Sequence, residues 1–133
     1  MKSNKQRLSW DSILSLVMSI CNDIQATKTK FNRVVGVHRG GLIPAVMVSH
    51  QLDIPMFTMQ PNDILPFRRS ELEKTLIIDD IYDSGLTLRS ITANNAGVKC
   101  AALIHNINLT DLDFYGCKQE LENWVVFPWE IIQ

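Results

Sequence analysis

The sequence predicts a doubly wound α/β fold, a mainly parallel sheet flanked by helices, on three observations. Short apolar runs of strand length alternate with longer stretches of helical spacing. One run, Leu76-Ile-Ile78, is apolar without alternation, the pattern of a parallel strand covered on both faces. The two most unusual loops, at 38–41 and 79–87, each follow such a run. Ligands of open α/β sheets bind beyond the carboxyl ends of the strands, so both loops fall on one binding edge.

The elements follow in order. Trp10, Ile13, Leu14, Val17, Ile20, Cys21 and Ile24 recur at helical spacing, with Ser9 as N-cap, and predict an amphipathic helix over 10–26. Val34-Val-Gly-Val37 reads as a short buried strand. Leu42 to Leu52 is helical, with Pro44 tolerated in the first turn. Met56-Phe-Thr-Met59 is a second strand. Gln60 to Lys74 holds two prolines, Arg68, Arg69 and no period, so it is a long loop. After the strand at 76–78, a helix runs from Leu86 to Asn95, with Gly97 placed to end it. Lys99 to Ile104 is the next strand, and the tail is irregular until Trp124-Val-Val-Phe127. Right-handed crossovers between these strands complete one domain over 1–133.

Composition narrows the function. The chain has 133 residues, 46% hydrophobic and 20% charged, ordinary for a soluble domain with one core. A net charge of −1 supplies no field to attract nucleic acid or an anionic membrane, so phosphate affinity must come from a local site. Cys21, Cys100 and Cys117 are odd in number and lack CxxC spacing, which argues against a disulfide framework or zinc site and for a reducing cytoplasm. The basic start, Met1 to Arg7, precedes an apolar stretch that Asp11 interrupts, so it is not read as a secretion signal.

The motifs point to a phosphorylated sugar. Asp79 and Asp80 repel each other unless cations or donors compensate, and ribose hydroxyls with Mg²⁺ supply both. Neighbouring residues of a strand face opposite sides, so both acids reach one ligand only if the strand has ended before them. The plainer alternative is a solvated strand end. Asp83-Ser-Gly-Leu-Thr87 opens a helix whose unpaired N–H groups attract an anion. Gly85 admits close approach, Ser84 and Thr87 add hydroxyls, and the plainer reading is an N-cap by Asp83 or Ser84 alone. In His38-Arg-Gly-Gly41, Arg39 offers a planar fork for phosphate oxygens; the alternative is a tight turn with a surface arginine. Neither a Walker A loop nor a dinucleotide fingerprint is present. Trp124 can stack on a base or, with Trp129, simply close the core. His50 and Trp10 read as packing residues.

From Leu8-Ser-Trp-Asp-Ser-Ile13 to Trp124-Val-Val-Phe-Pro-Trp-Glu130, the chain resembles the type I phosphoribosyltransferases, and among them the small xanthine–guanine/hypoxanthine branch. That resemblance implies the type I fold with a minimal hood from the N- and C-terminal segments. It implies a reaction in which 5-phosphoribosyl pyrophosphate (PRPP), with Mg²⁺, gives its phosphoribosyl group to hypoxanthine, guanine or xanthine. Asp79 and Asp80 would hold the ribose hydroxyls and the metal's water shell. Asp83, Ser84, Gly85, Leu86 and Thr87 would cradle the 5′-phosphate. His38, Arg39, Gly40 and Gly41 would bind pyrophosphate, with a cis peptide before Arg39 and with Arg68 and Arg69 closing over it. Trp124 would stack on the purine and the backbone at Val125 would meet its edge. Asn106 stands where the purine enzymes carry a lysine for the 6-oxo group. Asp83 would accept the proton and Arg39 would stabilise the leaving charge, making these two the catalytic residues. A homodimer or larger assembly in the cytoplasm completes the implication. Two other readings stand beside it: a non-catalytic sensor of PRPP or a nucleotide, and a transferase for another base.

Overall fold

The computed structural model describes residues 4–130. The elements are β1 (Lys5–Arg7), α1 (Trp10–Ala26), β2 (Arg33–Val37), α2 (Leu42–Leu52), β3 (Met56–Met59), α3 (Arg69–Leu72), β4 (Thr75–Tyr82), α4 (Leu86–Asn94), β5 (Lys99–Asn106), β6 (Phe114–Gln119) and β7 (Trp124–Val126). Five strands form a parallel sheet in the order β3-β2-β4-β5-β6. From β2 the chain steps outward to β3, returns across the sheet to β4, and then proceeds the other way through β5 and β6. The direction therefore reverses between β2 and β4, and the loops leaving these two strands flank the crevice that such a reversal opens.

Both faces of the sheet are covered, as the apolar run at 76–78 predicts. On one face Ile13, Val17, Ile20, Cys21 and Ile24 of α1, with Ala45 and Val48 of α2, pack on Val34, Leu76, Ile78 and Leu103. Ser9 caps α1, its hydroxyl accepting from the Ser12 N–H at 3.1 Å. On the other face Leu88 and Ile91 of α4 pack on Val35, Ile77 and Ala102.

The 60–74 segment differs from the open loop its composition predicts. Leu65, Phe67 and Leu72 lie in the second core, so the segment covers the sheet where a crossover helix would otherwise run. Buried Asn95 fastens it: the side-chain oxygen accepts from the Leu65 N–H at 2.7 Å, and the amide nitrogen donates to the carbonyls of Asp63 and Ile91. One turn of it is α3, immediately before β4.

Three other elements depart from expectation. β4 continues to Tyr82 rather than stopping at Ile78. β6 occupies part of the tail expected to be irregular; its sequence, Phe114-Tyr-Gly-Cys-Lys-Gln119, mixes a glycine and two polar residues and carries no strand period. Gly116 is needed there, because an added methyl would lie 2.6 Å from the Leu103 carbonyl oxygen and 2.7 Å from the Leu16 Cβ. β1 pairs in parallel with β7, Lys5 opposite Trp124 and Arg7 opposite Val126, and this two-stranded sheet is the small hood. Trp10 and Leu14 are about half exposed, off the buried face of α1. His50 is exposed at the end of α2 and is not a packing residue.

Candidate active site

The crevice between β2 and β4 is built around Asp79 and Asp80. Both acids lie inside β4, so the strand does not end before them. A slip in its alternation brings them together instead. Ile77 and Tyr82 share the second core while Ile78 and Ile81 share the first. In a regular strand Ile77 and Tyr82 would face opposite sides, so the alternation shifts once across Asp79-Asp80. Leu103 and Ile104, consecutive in β5, also lie in one core. β5 therefore slips at the same level, and the β4–β5 register is unbroken, Asp79 opposite Ala102 and Ile81 opposite Ile104.

The two carboxyls are coupled. The Asp80 N–H donates to the Asp79 Oδ1 at 2.8 Å. Burial pushes the Asp79 carboxyl up to about 8, with the neighbouring Asp80 charge adding to the effect. Burial also raises Asp80, and the Glu130 charge contributes in the same direction. A cation or several donors would return both to the ionised form. Among the described residues no group of three or more His, Cys, Asp or Glu could hold a metal. Two hard oxygen donors fit an ion that takes its other ligands from water and substrate phosphates, as Mg²⁺ does.

The glycine loop after β2 is pressed onto these acids. A methyl at Gly40 would overlap the Asp80 carboxylate, and one at Gly41 would overlap the Ile78 carbonyl oxygen. Gly-Gly at this place is thus a steric requirement of the crevice and more than a tight turn. The His38–Arg39 peptide is cis. Arg39, Gly40, Ile43, Asp80, Trp129 and Glu130 line a cavity of about 700 Å³.

Beyond β4, Gly85 occupies the N-cap of α4 at φ 81° and brings no side chain of its own to the helix end. The Ser84 hydroxyl accepts the N–H of Leu86, the first residue of the helix, at 3.3 Å. Residues 79–88 wall a second cavity of about 200 Å³, into which this helix end opens.

A third cavity, about 240 Å³, is lined by Asp80, Ile81, Asp83, Trp124, Val125, Phe127 and Glu130. Trp124 is 60% exposed on its wall. Trp129, by contrast, stacks on Phe127 at 4.9 Å and tilts against Trp10 at 5.9 Å, so the core-closing alternative holds for Trp129 alone. The Trp124 N–H donates to Asn4 and the Val126 carbonyl accepts from Leu8, so parallel pairing with β1 uses these two residues. The N–H and C=O of Val125 then face the opposite edge of β7. Asp80 belongs to all three cavities.

No protein-family model matches the chain. Among curated proteins it is 30% identical over 114 residues to the xanthine-guanine phosphoribosyltransferase of Cereibacter sphaeroides, covering 74% of this chain and 68% of that protein. The chain belongs to the xanthine–guanine branch of the type I phosphoribosyltransferases. The solved purine phosphoribosyltransferase of Pyrococcus horikoshii superposes with a TM-score of 0.75 at 26% identity, covering 98% of this chain and 97% of that one. The Helicobacter pylori xanthine-guanine-hypoxanthine phosphoribosyltransferase, at 19% identity and a TM-score of 0.77, shares the fold.

Two expectations drawn from this phosphoribosyltransferase resemblance meet a different geometry. Arg68 and Arg69 are not brought to the crevice. Arg68 pairs with Glu71 at 3.4 Å, and Arg69 pairs with Glu73 at 3.3 Å beside Gly97. Glu73 and Gly97 precede β4 and β5, so both arginines sit at the amino edge of the sheet, opposite the site. The cause is the packing of Leu65, Phe67 and Leu72, which carries the segment down the sheet face. Asn106 is turned onto Asp83: its Nδ2 donates to the Asp83 carbonyl at 3.1 Å and Oδ1 at 3.3 Å, and its own oxygen accepts from the Asn108 N–H.

Sequence reasoning missed Glu130, Ile43 and the lining role of Trp129. Glu130 stood within the terminal motif, but its place depends on its Oε1 accepting the Phe127 N–H at 2.8 Å, a turn that no spacing announces.

Proposed function

We propose that this phosphoribosyltransferase moves the 5-phosphoribosyl group of PRPP to a purine base, releasing a nucleoside 5′-monophosphate and pyrophosphate. One observation carries the reading: three cavities, each suited to one part of the reaction complex, meet at Asp80. The helix end at Ser84 to Thr87 holds the 5′-phosphate through backbone N–H groups and two hydroxyls. Asp79 and Asp80 accept from the ribose hydroxyls. His38, Arg39 and the Gly40–Gly41 backbone take the pyrophosphate, and Trp124 stacks on the base while Val125 meets its edge.

In the transfer, a purine ring nitrogen bonds to C1′ as the bond from C1′ to the pyrophosphate oxygen breaks, and pyrophosphate leaves with that electron pair. Arg39 stabilises the departing charge, and the Asp83 carboxylate takes the ring proton. Asp79 and Asp80 would hold Mg²⁺, which would supply further neutralisation of the departing charge. Asp83→Asn is expected to lose turnover by about 10²–10⁴-fold while still binding PRPP, measured by pyrophosphate release and calorimetry. Full activity in that variant would remove the proton-acceptor role.

The test of the function is pyrophosphate release from PRPP and Mg²⁺ with hypoxanthine, guanine, xanthine, adenine, uracil or orotate. Release with a purine supports the reading; release only with a pyrimidine sinks it. A second reading, a non-catalytic PRPP sensor, is favoured by the remoteness of Arg68 and Arg69, which leaves Arg39 as the arginine on the pyrophosphate cavity. Tight PRPP binding without release on any base would decide for it. The proposal includes a cytoplasmic setting, supported by the free cysteines, and a homodimer or larger, supported by exposed Val46 and Phe57 on neighbouring α2 and β3. A monomer in light scattering contradicts the latter. No helix among the described residues is long and apolar enough to cross a membrane.

A further inference from the structure

Behind the loop that opens α4 lies a group of polar side chains to which the transfer chemistry gives no role. Tyr82, the last residue of β4, is buried, with its ring T-shaped against His105 at 5.2 Å. One turn into α4, Arg89 donates to both carboxylate oxygens of Asp111, from Nε at 2.9 Å and from Nη2 at 3.4 Å. That fork holds the Asp111 carboxyl down to about 2, and the Tyr82 hydroxyl adds to the effect. The segment bearing Asp111 is itself anchored. Leu112 is buried in the second core, and the Asp113 carboxylate accepts the Cys100 N–H at 2.8 Å. Gly85 rests on this group: a Cβ there would lie 2.8 Å from the Tyr82 hydroxyl oxygen and 2.9 Å from the Arg89 guanidinium carbon. Tyr82 and Leu88 line both the phosphate cavity and a smaller one behind it, about 70 Å³, which Arg89 and Asp111 line as well.

We infer that Tyr82, Arg89 and Asp111 are positioning residues for the 5′-phosphate, a brace that fixes the Gly85 turn and so aims the N–H groups of the helix end. The inference rests on the phosphoribosyl reading of that cavity and deepens it. Gly85 stands at φ 81°, and glycine has the widest backbone freedom of any residue. A loop that its ligand must first order binds more weakly than one already held in the bound shape. Here the turn meets a buried phenol and a guanidinium on its inner side, and the Arg89 N–H donates to the Gly85 carbonyl at 3.0 Å. Asp111 neutralises that guanidinium and keeps it on the smaller cavity, so Arg89 acts by its place and not by its charge. The ion pair is about half exposed, and such pairs add little to global stability. Loss of the brace weakens the grip on the phosphate in ground and transition states alike. That raises KM for PRPP and leaves kcat nearly unchanged.

The experiment compares the native chain with Tyr82→Phe, Arg89→Met and Asp111→Asn. It measures kcat and KM for PRPP by pyrophosphate release, and the affinity for ribose 5-phosphate by calorimetry. Tyr82→Phe keeps the ring on His105, and Arg89 and Asp111 are about half exposed, so all three variants are expected to fold. Arg89→Met and Asp111→Asn are expected to raise KM for PRPP and weaken ribose 5-phosphate binding by about tenfold, and Tyr82→Phe by about threefold. In each, kcat at saturating PRPP is expected to stay within about twofold of native, a split that general loss of structure would not give. Native affinity for ribose 5-phosphate in all three variants overturns the inference. So does tighter binding by Asp111→Asn, which would show the freed guanidinium acting on the phosphate as a charge. A fall in kcat as large as the rise in KM overturns it too. Should no base release pyrophosphate, the transfer reading falls by itself, and the ribose 5-phosphate affinities decide the brace by the same factors. A native chain that binds neither ribose 5-phosphate nor PRPP overturns both.

Discussion

Asp79 and Asp80 show how one pair of neighbouring residues can set a protein's response to pH. Folded Asp79 keeps its proton up to about 8, whereas the unfolded chain releases it near 3.8. Between those values the folded chain binds more protons, so stability without ligand falls as pH rises through the window. Urea midpoints across the window should show that decline, and Asp79→Asn should flatten it. A wild-type midpoint that rises steadily instead would contradict the raised carboxyl. Gly40 works at the same scale. With no room for a methyl against Asp80, Gly40→Ala must push the loop off β4. A displacement of about an ångström at a reacting centre costs on the order of 10²-fold in turnover. The expected outcome is that loss in pyrophosphate release with a nearly unchanged melting temperature.

At the scale of elements, the 60–74 segment carries the main lesson. Its two prolines and missing period signalled a loop correctly, yet Leu65, Phe67 and Leu72 make it part of the second core. Asn95 is the fastening, buried and bonded to Leu65, Asp63 and Ile91. Asn95→Ala leaves a buried N–H without its acceptor and should cost about 3 kcal/mol in urea unfolding. An effect under about 0.5 kcal/mol, the size of a surface change, would show that the segment is not held there. The helices over 10–26 and 42–52 were legible because their period is sustained; the strands at 34–37 and 56–59 were legible from short apolar runs. β6 was not, because an edge strand with one glycine and exposed polar positions has no period to read. The extension of β4 through two acids was hidden for a related reason: acids usually mark a strand's end, and here a slip shared with β5 accommodates them. Arg68 and Arg69 were misplaced because family position, unlike apolar packing, says nothing about where a loop without a period will run.

At the scale of the whole molecule, the order β3-β2-β4-β5-β6 puts the direction change between the two strands whose loops carry glycines and acids. This convergence was legible, since strand-then-loop placement is a topological fact that needs no side-chain detail. The hood, β1 paired with β7, then brings Trp124 and Val125 to the same crevice. The contribution of Glu130 was not legible, because it depends on a turn closed by one hydrogen bond. The central claim is that the helix end at 84–87, the glycine loop at 38–41 and Trp124 hold the parts of one ligand set around Asp80. A crystal structure with a purine nucleoside 5′-monophosphate, pyrophosphate and Mg²⁺ tests it most directly. The prediction is a 5′-phosphate on the amides of Ser84 to Thr87, pyrophosphate on Arg39-Gly-Gly41, and the purine against Trp124. Pyrophosphate bound instead at the amino edge beside Arg68 and Arg69, or a base turned away from Trp124, would contradict it.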